Sequence, residues 1–363
     1  MTELFFIAST PLHIIFSSLI ADQWKADIGR SVPCILILTG PQKNIHPALF
    51  ATSDWDEIHE EILFPRNKYL NWNWLRDARK LKENFPYTRR NTDTERIVFW
   101  SNDTQLNNQI IHRWIEPDKT YFIEEGLGTY IQRIKKEPYH KVIGRFLTDK
   151  LVFHYGLACY HYVLGKNKIN DSSYVVYPDK FRKWAFFPNK PVHDLGNLIQ
   201  KKIATKLTTW IDHLEALPTV DGKTALLLTQ PLSADRGLTE QRELAIYANI
   251  VQRIQHELHV DTLFLKPHPR ESSEKYTYFY DIAGFPIKLI SQLKGLPVEI
   301  LLKALSIDYV ITLFSSTMLY ASLFSPQTQV ISAIKMAPEA LTHDQGIIPI
   351  VEELFSETVL FWE

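Results

Sequence analysis

Three short polar motifs, each directly after a strand-like apolar run, hold the residues of this chain best suited to chemistry: Glu124-Glu125-Gly126, Lys266-Pro267-His268-Pro269-Arg270 and Ser315-Ser316. A carboxylate can take a proton from an alcohol, an imidazole between two cations can meet an anion, and paired hydroxyls can hold phosphate oxygens. Together they offer what is needed to activate a hydroxyl while the phosphate of a nucleotide departs.

In the first motif, Tyr121-Phe122-Ile123 runs straight into two adjacent carboxylates. Consecutive side chains leave an extended segment in opposite directions. The two are therefore poorly placed as the opposed pair of a glycoside hydrolase, which straddles the sugar at roughly 5 to 9.5 Å. One carboxylate in the site and one in support is the better picture, with Gly126 allowing a sharp turn and close approach of a ligand. Partial burial beside a second negative charge would lift the active one toward a useful base.

In the second motif, two prolines fix the backbone on either side of His268, so little entropy is lost when the imidazole meets a ligand. His268 can donate to a phosphate oxygen and, protonated, neutralise the charge that grows there. In the third, Tyr309 to Phe314 leads to Ser315-Ser316 and then a helical pattern through Met318, Leu319 and Leu323. Small hydroxyl residues at a helix start present hydroxyls, backbone amides and the positive end of the dipole. Each motif alone also suits an ordinary turn or cap. Three in order, with complementary chemistry, are harder to assign to unrelated caps.

These motifs need strand ends to carry them. Leu4–Ala8, Cys34–Leu38, Arg96–Trp100 and Thr120–Ile123 read as buried strands, and Ser9 or Thr10 caps a helix through Leu12, Ile15, Phe16 and Leu19. Pro178, Pro188, Pro191 and Pro218 bracket a basic, aromatic stretch with a helical run from Leu195 to Leu217, which reads as a connector. The alternation resumes with strands at Ala225–Thr229, Thr262–Lys266, Tyr309–Thr312 and Gln329–Ile331, and helices at about 239–258, 297–304 and 316–324. Continuous apolar strands between helices imply parallel sheets covered on both faces. The expected fold is α/β: two Rossmann-like domains with parallel sheets facing a central cleft, the GT-B arrangement of many glycosyltransferases. No Gly-x-Gly-x-x-Gly follows the first strand, which disfavours a nicotinamide dehydrogenase.

At 363 residues, 45% hydrophobic and 22% charged, the chain suits two globular domains. Forty basic against 41 acidic residues leave no global field for nucleic acid or anionic membrane, so any anion site is local. Two cysteines, Cys34 and Cys159, are too few for a disulfide framework and fit a reducing cytoplasm. The N-terminus lacks the pattern of a signal peptide, and no run of about 18 apolar residues occurs, so a soluble or peripheral protein is expected. Aromatics and cations from Tyr69 to Lys82, and Arg182-Lys183-Trp184, suit a membrane surface, but helix packing with snorkelling cations explains them equally well and is preferred. Asp54-Trp55-Asp56 follows no apolar strand and is expected to be a solvated surface segment rather than a metal site.

The three motifs together resemble the bacterial sialyltransferases of the lipooligosaccharide and capsule polysialic acid families, which carry an Asp/Glu-Asp/Glu-Gly, a His-Pro and a Ser-Ser motif in this order. Ala8-Ser9-Thr10-Pro11-Leu12-His13 and Leu228-Thr229-Gln230-Pro231-Leu232 are similar to segments of that group. The resemblance implies a CMP-sialic acid donor, inversion at the anomeric carbon, no cofactor and no metal. By position Glu124 matches the general base, His268 the CMP phosphate contact, and Ser315 and Ser316 the phosphate-binding hydroxyls, with Glu125 and Gly126 in support. Pro267 and Pro269 would border the cytidine pocket. Ser9, Thr10 and Gln230 would line the donor cleft, and Lys266 and Arg270 would assist the phosphate or the sialic carboxylate.

On this reading residues 1–175 form an acceptor-side domain with the base, 176–220 a connector and 221–363 the CMP-donor domain. The partners are a CMP-sugar and a glycan or glycolipid acceptor. The setting is cytoplasmic, with peripheral association at the inner membrane and a homodimer both left open. Another CMP-activated nonulosonic acid or Kdo is the nearest alternative donor. A non-catalytic nucleotide-sugar-binding module and a GT-B-like epimerase are the alternatives of other classes.

Overall fold

The structure is a computed structural model. It describes residues 1–29, 31–39, 45–52, 54–59, 82–88, 93–103, 105–130, 165, 169–184, 190–214, 217–218, 220–290, 293, 295–341, 347–355 and 357–363. Cys159, most of the segment from Tyr69 to Lys82, and the side chains of Arg182, Lys183 and Trp184 lie outside this set.

The chain forms two compact units, Met1–Gln42 with Thr52–Leu198, and Lys43–Ala51 with Ile199–Glu363. This differs from a separate connector over 176–220. Strand β7 (Val192–Asp194) pairs with β6 (Ser172–Val175) and extends the first sheet, so backbone hydrogen bonding draws that stretch into the first unit. The helix Leu195–Asp212 then carries the chain into the second.

In the first unit β1 (Thr2–Ala8), β2 (Cys34–Leu38), β3 (Glu57–His59), β4 (Glu95–Trp100), β5 (Lys119–Ile123), β6 and β7 form a sheet in the order β3-β2-β1-β4-β5-β6-β7. Every pairing is parallel. Leu4 to Ala8 and Cys34 to Leu38 are buried without alternation, as strands covered on both faces must be. Phe5, Ile7, Ile35, Ile37, Val98 and Trp100 pack one face against Ile110, Ile111, Trp114 and Ile115 of the helix Leu106–Ile115, a stripe set by the 3.6-residue period. The helix Pro11–Ile28 starts with Thr10, whose hydroxyl accepts from the His13 N–H at 3.4 Å, and with Pro11 in its first turn.

The second unit repeats the plan. Strands β8 (Thr224–Leu228), β9 (Thr262–Lys266), β10 (Ile287–Leu289), β11 (Tyr309–Thr312), β12 (Gln329–Ser332) and β13 (Val359–Phe361) follow the order β10-β9-β8-β11-β12-β13, again parallel throughout. Its core joins Leu227, Leu263, Leu265 and Ile311 to Ile246, Tyr247, Ile250 and Val251 of the helix Glu240–Arg253, capped by Thr239.

In each sheet the winding reverses next to the first strand of the unit, between β1 and β4 and between β8 and β11. Open α/β sheets bind ligands at the carboxyl edge beside such a reversal. The motif residues stand at those edges. Among the described residues no helix is long and apolar enough to cross a membrane.

Candidate active site

At the carboxyl edge of the first sheet, β5 ends and Glu124 and Glu125 follow. Glu124 is 0% exposed. Its Oε2 accepts from Tyr130 Oη at 2.5 Å and from the Val176 N–H at 2.6 Å. Tyr130 Oη in turn accepts from the Tyr177 N–H at 3.0 Å, which ties the turn after β5 to the end of β6. Burial, with the Glu124 carboxylate beside it, holds the Tyr130 phenol protonated, well above the ordinary tyrosine range.

Glu125 points the other way and is only partly buried. Its Oε1 accepts from Asn102 Nδ2 at 2.7 Å, and its backbone N–H donates to Thr129 Oγ1 at 3.1 Å. Burial pushes its carboxyl up to about 7, against the Asn102 hydrogen bond and with help from the charge of Asp103. Gly126 follows with φ +127° and ψ −151°, a conformation essentially confined to glycine. Asn102 has φ +52°, and its carbonyl accepts from Asn108 Nδ2 at 3.1 Å.

The two carboxylates of the acidic pair thus stand in different surroundings. The Glu124 carboxylate reaches no solvent, and two protein donors occupy its Oε2. Glu125 is the accessible member. Ser9 and Thr10 stand at the end of β1 in this unit, engaged with the helix they start. The Ser9 N–H donates to His13 Nδ1 at 3.3 Å and Ser9 Oγ lies 3.2 Å from that nitrogen. His13 is fully buried, and its burial drives the imidazole down to about 3 against the pull of the Glu125 backbone.

The second group of residues stands on adjacent strands of the second sheet. Residues 268–271 make a turn with Pro269 in the position whose φ it presets, closed by the Glu271 N–H donating to the His268 carbonyl at 2.8 Å. His268 is half-buried, and its Nδ1 accepts from the Arg270 N–H at 3.2 Å. That bond places the proton of the neutral ring on Nε2, so the ring offers Nε2–H as a donor. At the end of β8, Gln230 Oε1 accepts from the Phe314 N–H at 3.3 Å, joining this strand end to the Ser-Ser turn after β11. Ser315 Oγ accepts from the Thr317 N–H at 3.2 Å and so caps the helix Thr317–Phe324. Ser316 Oγ makes no capping bond. Gln230, His268 and the serines are therefore brought to one edge of one sheet.

The two flanking cations are engaged elsewhere. Lys266 is buried, its ammonium donating to the Leu293 carbonyl at 3.1 Å and lying near the carboxyl of Glu299. Its side chain leaves the strand end inward. Arg270 is exposed and forks onto Asp235, at 2.9 and 2.5 Å. Pro267 is buried beneath the turn and Pro269 exposed upon it.

The expectation of a solvated Asp54-Trp55-Asp56 also needs correction. Asp54 is buried, accepting from Ser18 Oγ at 2.5 Å. Asp56 is the more exposed, paired with Lys25 at 3.1 Å and accepting from the Cys34 N–H at 2.8 Å. Among the described residues no group of three or more His, Cys, Asp or Glu is arranged to hold a metal ion.

Sequence reasoning did not single out Asn102, Tyr130 or Glu271, and gave Thr229 no role beyond its place in the segment Leu228-Thr229-Gln230-Pro231-Leu232. Asn102 had a signal, a polar residue just past the apolar run ending at Trp100, and Glu271 another, an acid three residues after a histidine in a Pro-containing turn.

Two parallel-sheet α/β domains with polar residues gathered at their carboxyl edges place the chain among GT-B folds, and solved structures agree. The GT-B domain of a sialyltransferase from Photobacterium damselae matches with a TM-score of 0.53 at 14% identity, covering 100% of both chains. A 2,6-sialyltransferase from Vibrionaceae Photobacterium sp. JT-ISH-224, solved with CMP and lactose, matches with a TM-score of 0.53 at 11% identity, covering 99% of this chain and 78% of that one. The UDP-GlcNAc 2-epimerase of Neisseria meningitidis, bound to UDP-GlcNAc, gives a TM-score of 0.53 at 11% identity, covering 99% and 95%. These likenesses fix the fold and leave transferase against epimerase to other grounds. A family model described as Alpha-2,8-polysialyltransferase (POLYST) matches residues 4–334, and the chain belongs to that family of sialyltransferases. A search of curated proteins returns no match.

Proposed function

We propose that this protein is an inverting sialyltransferase that moves sialic acid from CMP-sialic acid to a terminal sugar hydroxyl, of a galactoside or sialoside, on a bacterial surface glycan of the lipooligosaccharide or capsule type. The observation that carries the reading is the gathering of Gln230, His268, Ser315 and Ser316 at one sheet edge beside the winding reversal of the second unit. CMP leaves with a single phosphate. A histidine Nε2–H, serine hydroxyls and the start of the helix Thr317–Phe324 supply donors for that charge where a nucleoside diphosphate would call for a metal or a stronger cation clamp. Family membership supports the sialic acid donor over a UDP-sugar.

In the proposed step Glu125 takes the acceptor proton, the acceptor oxygen bonds the anomeric carbon, and the bond from that carbon to the CMP phosphate breaks. Attack on one face while CMP leaves from the other inverts the centre. His268 and the serines meet the charge left on the phosphate. The partial exposure of Glu125, against the complete burial of Glu124, supports this choice within the pair. We place the enzyme in the cytoplasm, able to reach a lipid-linked acceptor at the inner membrane.

Incubation with a panel of CMP-sugars and labelled galactosides and sialosides, with product analysis by mass spectrometry, tests this. Acceptors heavier by one or more sialic acid residues and stoichiometric CMP are expected. Transfer only from CMP-Kdo, or only from a CMP-activated nonulosonic acid other than sialic acid, would move the donor assignment. CMP binding without release on any acceptor would point to a binding module, and conversion of a nucleotide sugar without acceptor to an epimerase.

A further inference from the structure

Beneath the His268 turn lies a buried chain of ionisable groups that contains none of the motif residues. Glu271 is 7% exposed, and its Oε2 accepts from the His268 N–H at 3.0 Å and from Thr229 Oγ1 at 2.7 Å. Its Oε1 accepts from Tyr276 Oη and lies 3.5 Å from the Lys275 ammonium. Lys275 is closer to Glu243, at 2.6 Å, and Glu243 is fully buried, its Oε2 accepting from the Ser233 N–H at 2.8 Å. One ammonium is thus shared by two buried carboxylates.

Stability alone gives little reason for the second. Burying a carboxylate costs several kcal/mol unless charge and hydrogen bonds offset it, and Glu243 with Lys275 already makes a balanced pair. What Glu271 adds is position. It closes the turn from both sides, its N–H on the His268 carbonyl and its carboxylate on the His268 N–H. Through Thr229 it also fastens that turn to the end of β8, one residue before Gln230. Arg270, held between the two ends of the closed turn, brings its own N–H to His268 Nδ1. The carboxylate therefore sets the backbone that sets the imidazole.

We propose that Glu271 is the positioning residue of His268, fixing the turn so that Nε2–H is presented to the donor phosphate. The inference rests on the CMP-dependent reading above. Glu271→Gln removes the charge and weakens acceptance from the His268 N–H, yet leaves Glu243 and Lys275 paired. Titration of CMP by calorimetry, melting curves, and a double-mutant cycle with His268→Ala separate positioning from general support.

Glu271→Gln is expected to melt within a few degrees of the wild type while binding CMP about tenfold more weakly. In the His268→Ala background the same change should have no further effect on CMP affinity. Should Glu271→Gln fail to fold, Thr229→Val, which removes the hydroxyl between Glu271 and the turn, is expected to show the same non-additive loss. Additive losses in the cycle, or wild-type CMP affinity in either variant, overturn the positioning role while leaving the sialyltransferase reading standing. Failure of the wild type to bind CMP rejects the donor reading, and this inference with it.

Discussion

Glu124 and Glu125 are consecutive in the chain, yet one carboxylate is sealed under Tyr130 and Val176 while the other faces Asn102 at the edge of the sheet. The alternation of an extended segment sends them apart. The glycine conformation of Gly126 then turns the chain immediately, so Glu125 stays at the edge. A buried anchor and the proposed base are separated by one peptide unit.

The separation predicts opposite phenotypes. Glu125→Gln should lose about 10²- to 10⁴-fold in kcat while retaining CMP affinity, the usual contribution of a general base. It should also melt no lower than the wild type above neutral pH, because a carboxylate held up at about 7 is disfavoured in its charged form by the fold. Glu124→Ala should instead leave Tyr130 Oη and the Val176 N–H without an acceptor, at about 1–3 kcal/mol for each. Melting temperature and single-turnover rate, measured on both variants, sort the roles. Full activity in Glu125→Gln would return the base to Glu124.

A base at about 7 gives the rate a signed pH dependence. Only the ionised carboxylate accepts the acceptor proton, so kcat/KM should climb as pH rises through that value and level above it. A profile already flat at pH 5 to 6 would show that a lower carboxylate, not Glu125, takes the proton.

Two buried histidines set an acid limit on stability. His13 is held neutral at about 3 by burial. His112 is held at about 3 by burial and then by the charge of Arg113, its ring stacked on Trp100 at 4.5 Å. Both pKa values are depressed on folding. Between the ordinary histidine value of about 6.5 and about 3 the unfolded chain binds protons that the native state refuses, so stability falls as pH drops across that window. The slope is on the order of 1.4 kcal/mol per pH unit for each histidine that is fully titrated in the unfolded chain. Denaturant midpoints measured from pH 7 to pH 4 should decrease, and His13→Gln should flatten the decrease.

Arg270 and Lys266 flank His268 in sequence, but their side chains are engaged with Asp235 and with the Leu293 carbonyl. Arg270→Ala should leave CMP affinity within about threefold, since the guanidinium is exposed and committed to Asp235. Lys266→Met should act on folding instead, by removing the ammonium that donates to Leu293 and lies near Glu299. A large loss of CMP affinity in Arg270→Ala would restore it to the phosphate site.

The sequence was informative where burial is total. Cys34–Leu38, Thr262–Lys266 and Tyr309–Thr312 are legible as strands to the residue, because a strand covered on both faces reads as an unbroken apolar run. Four of the five strands it does not show, β3, β7, β10 and β13, are the three-residue edges of the two sheets. Glu57–His59 and Val192–Asp194 are largely exposed and carry one apolar residue each, too few for a pattern. The fifth, Ser172–Val175, is buried but opens with two serines. At the candidate site the motifs mark the strand ends where polar residues gather. Which of two adjacent acids turns inward depends on Tyr130 and Val176, residues that no local pattern connects to Glu124.

Asn102 offers the sharpest test of the environment of Glu125. It adopts a left-handed φ of +52°, a conformation Asn and Asp tolerate better than other non-glycine residues, and its amide donates to Glu125 at 2.7 Å. Asn102→Asp keeps the backbone preference and nearly the same shape. It removes the donor that favours the ionised carboxylate and sets a negative charge in its place, beside the charge of Asp103 that already disfavours ionisation. Both changes act in the same direction. The rising limb of kcat/KM should move to higher pH by about one unit or more, with the plateau rate reached only in alkaline buffer. Asn102→Ala should shift the limb upward less and cost about 1–2 kcal/mol of stability, as a side chain without local hydrogen bonding is forced into the left-handed region. If the limb stays in place in Asn102→Asp while the protein remains folded, the group that titrates in the rate is not the carboxylate Asn102 holds.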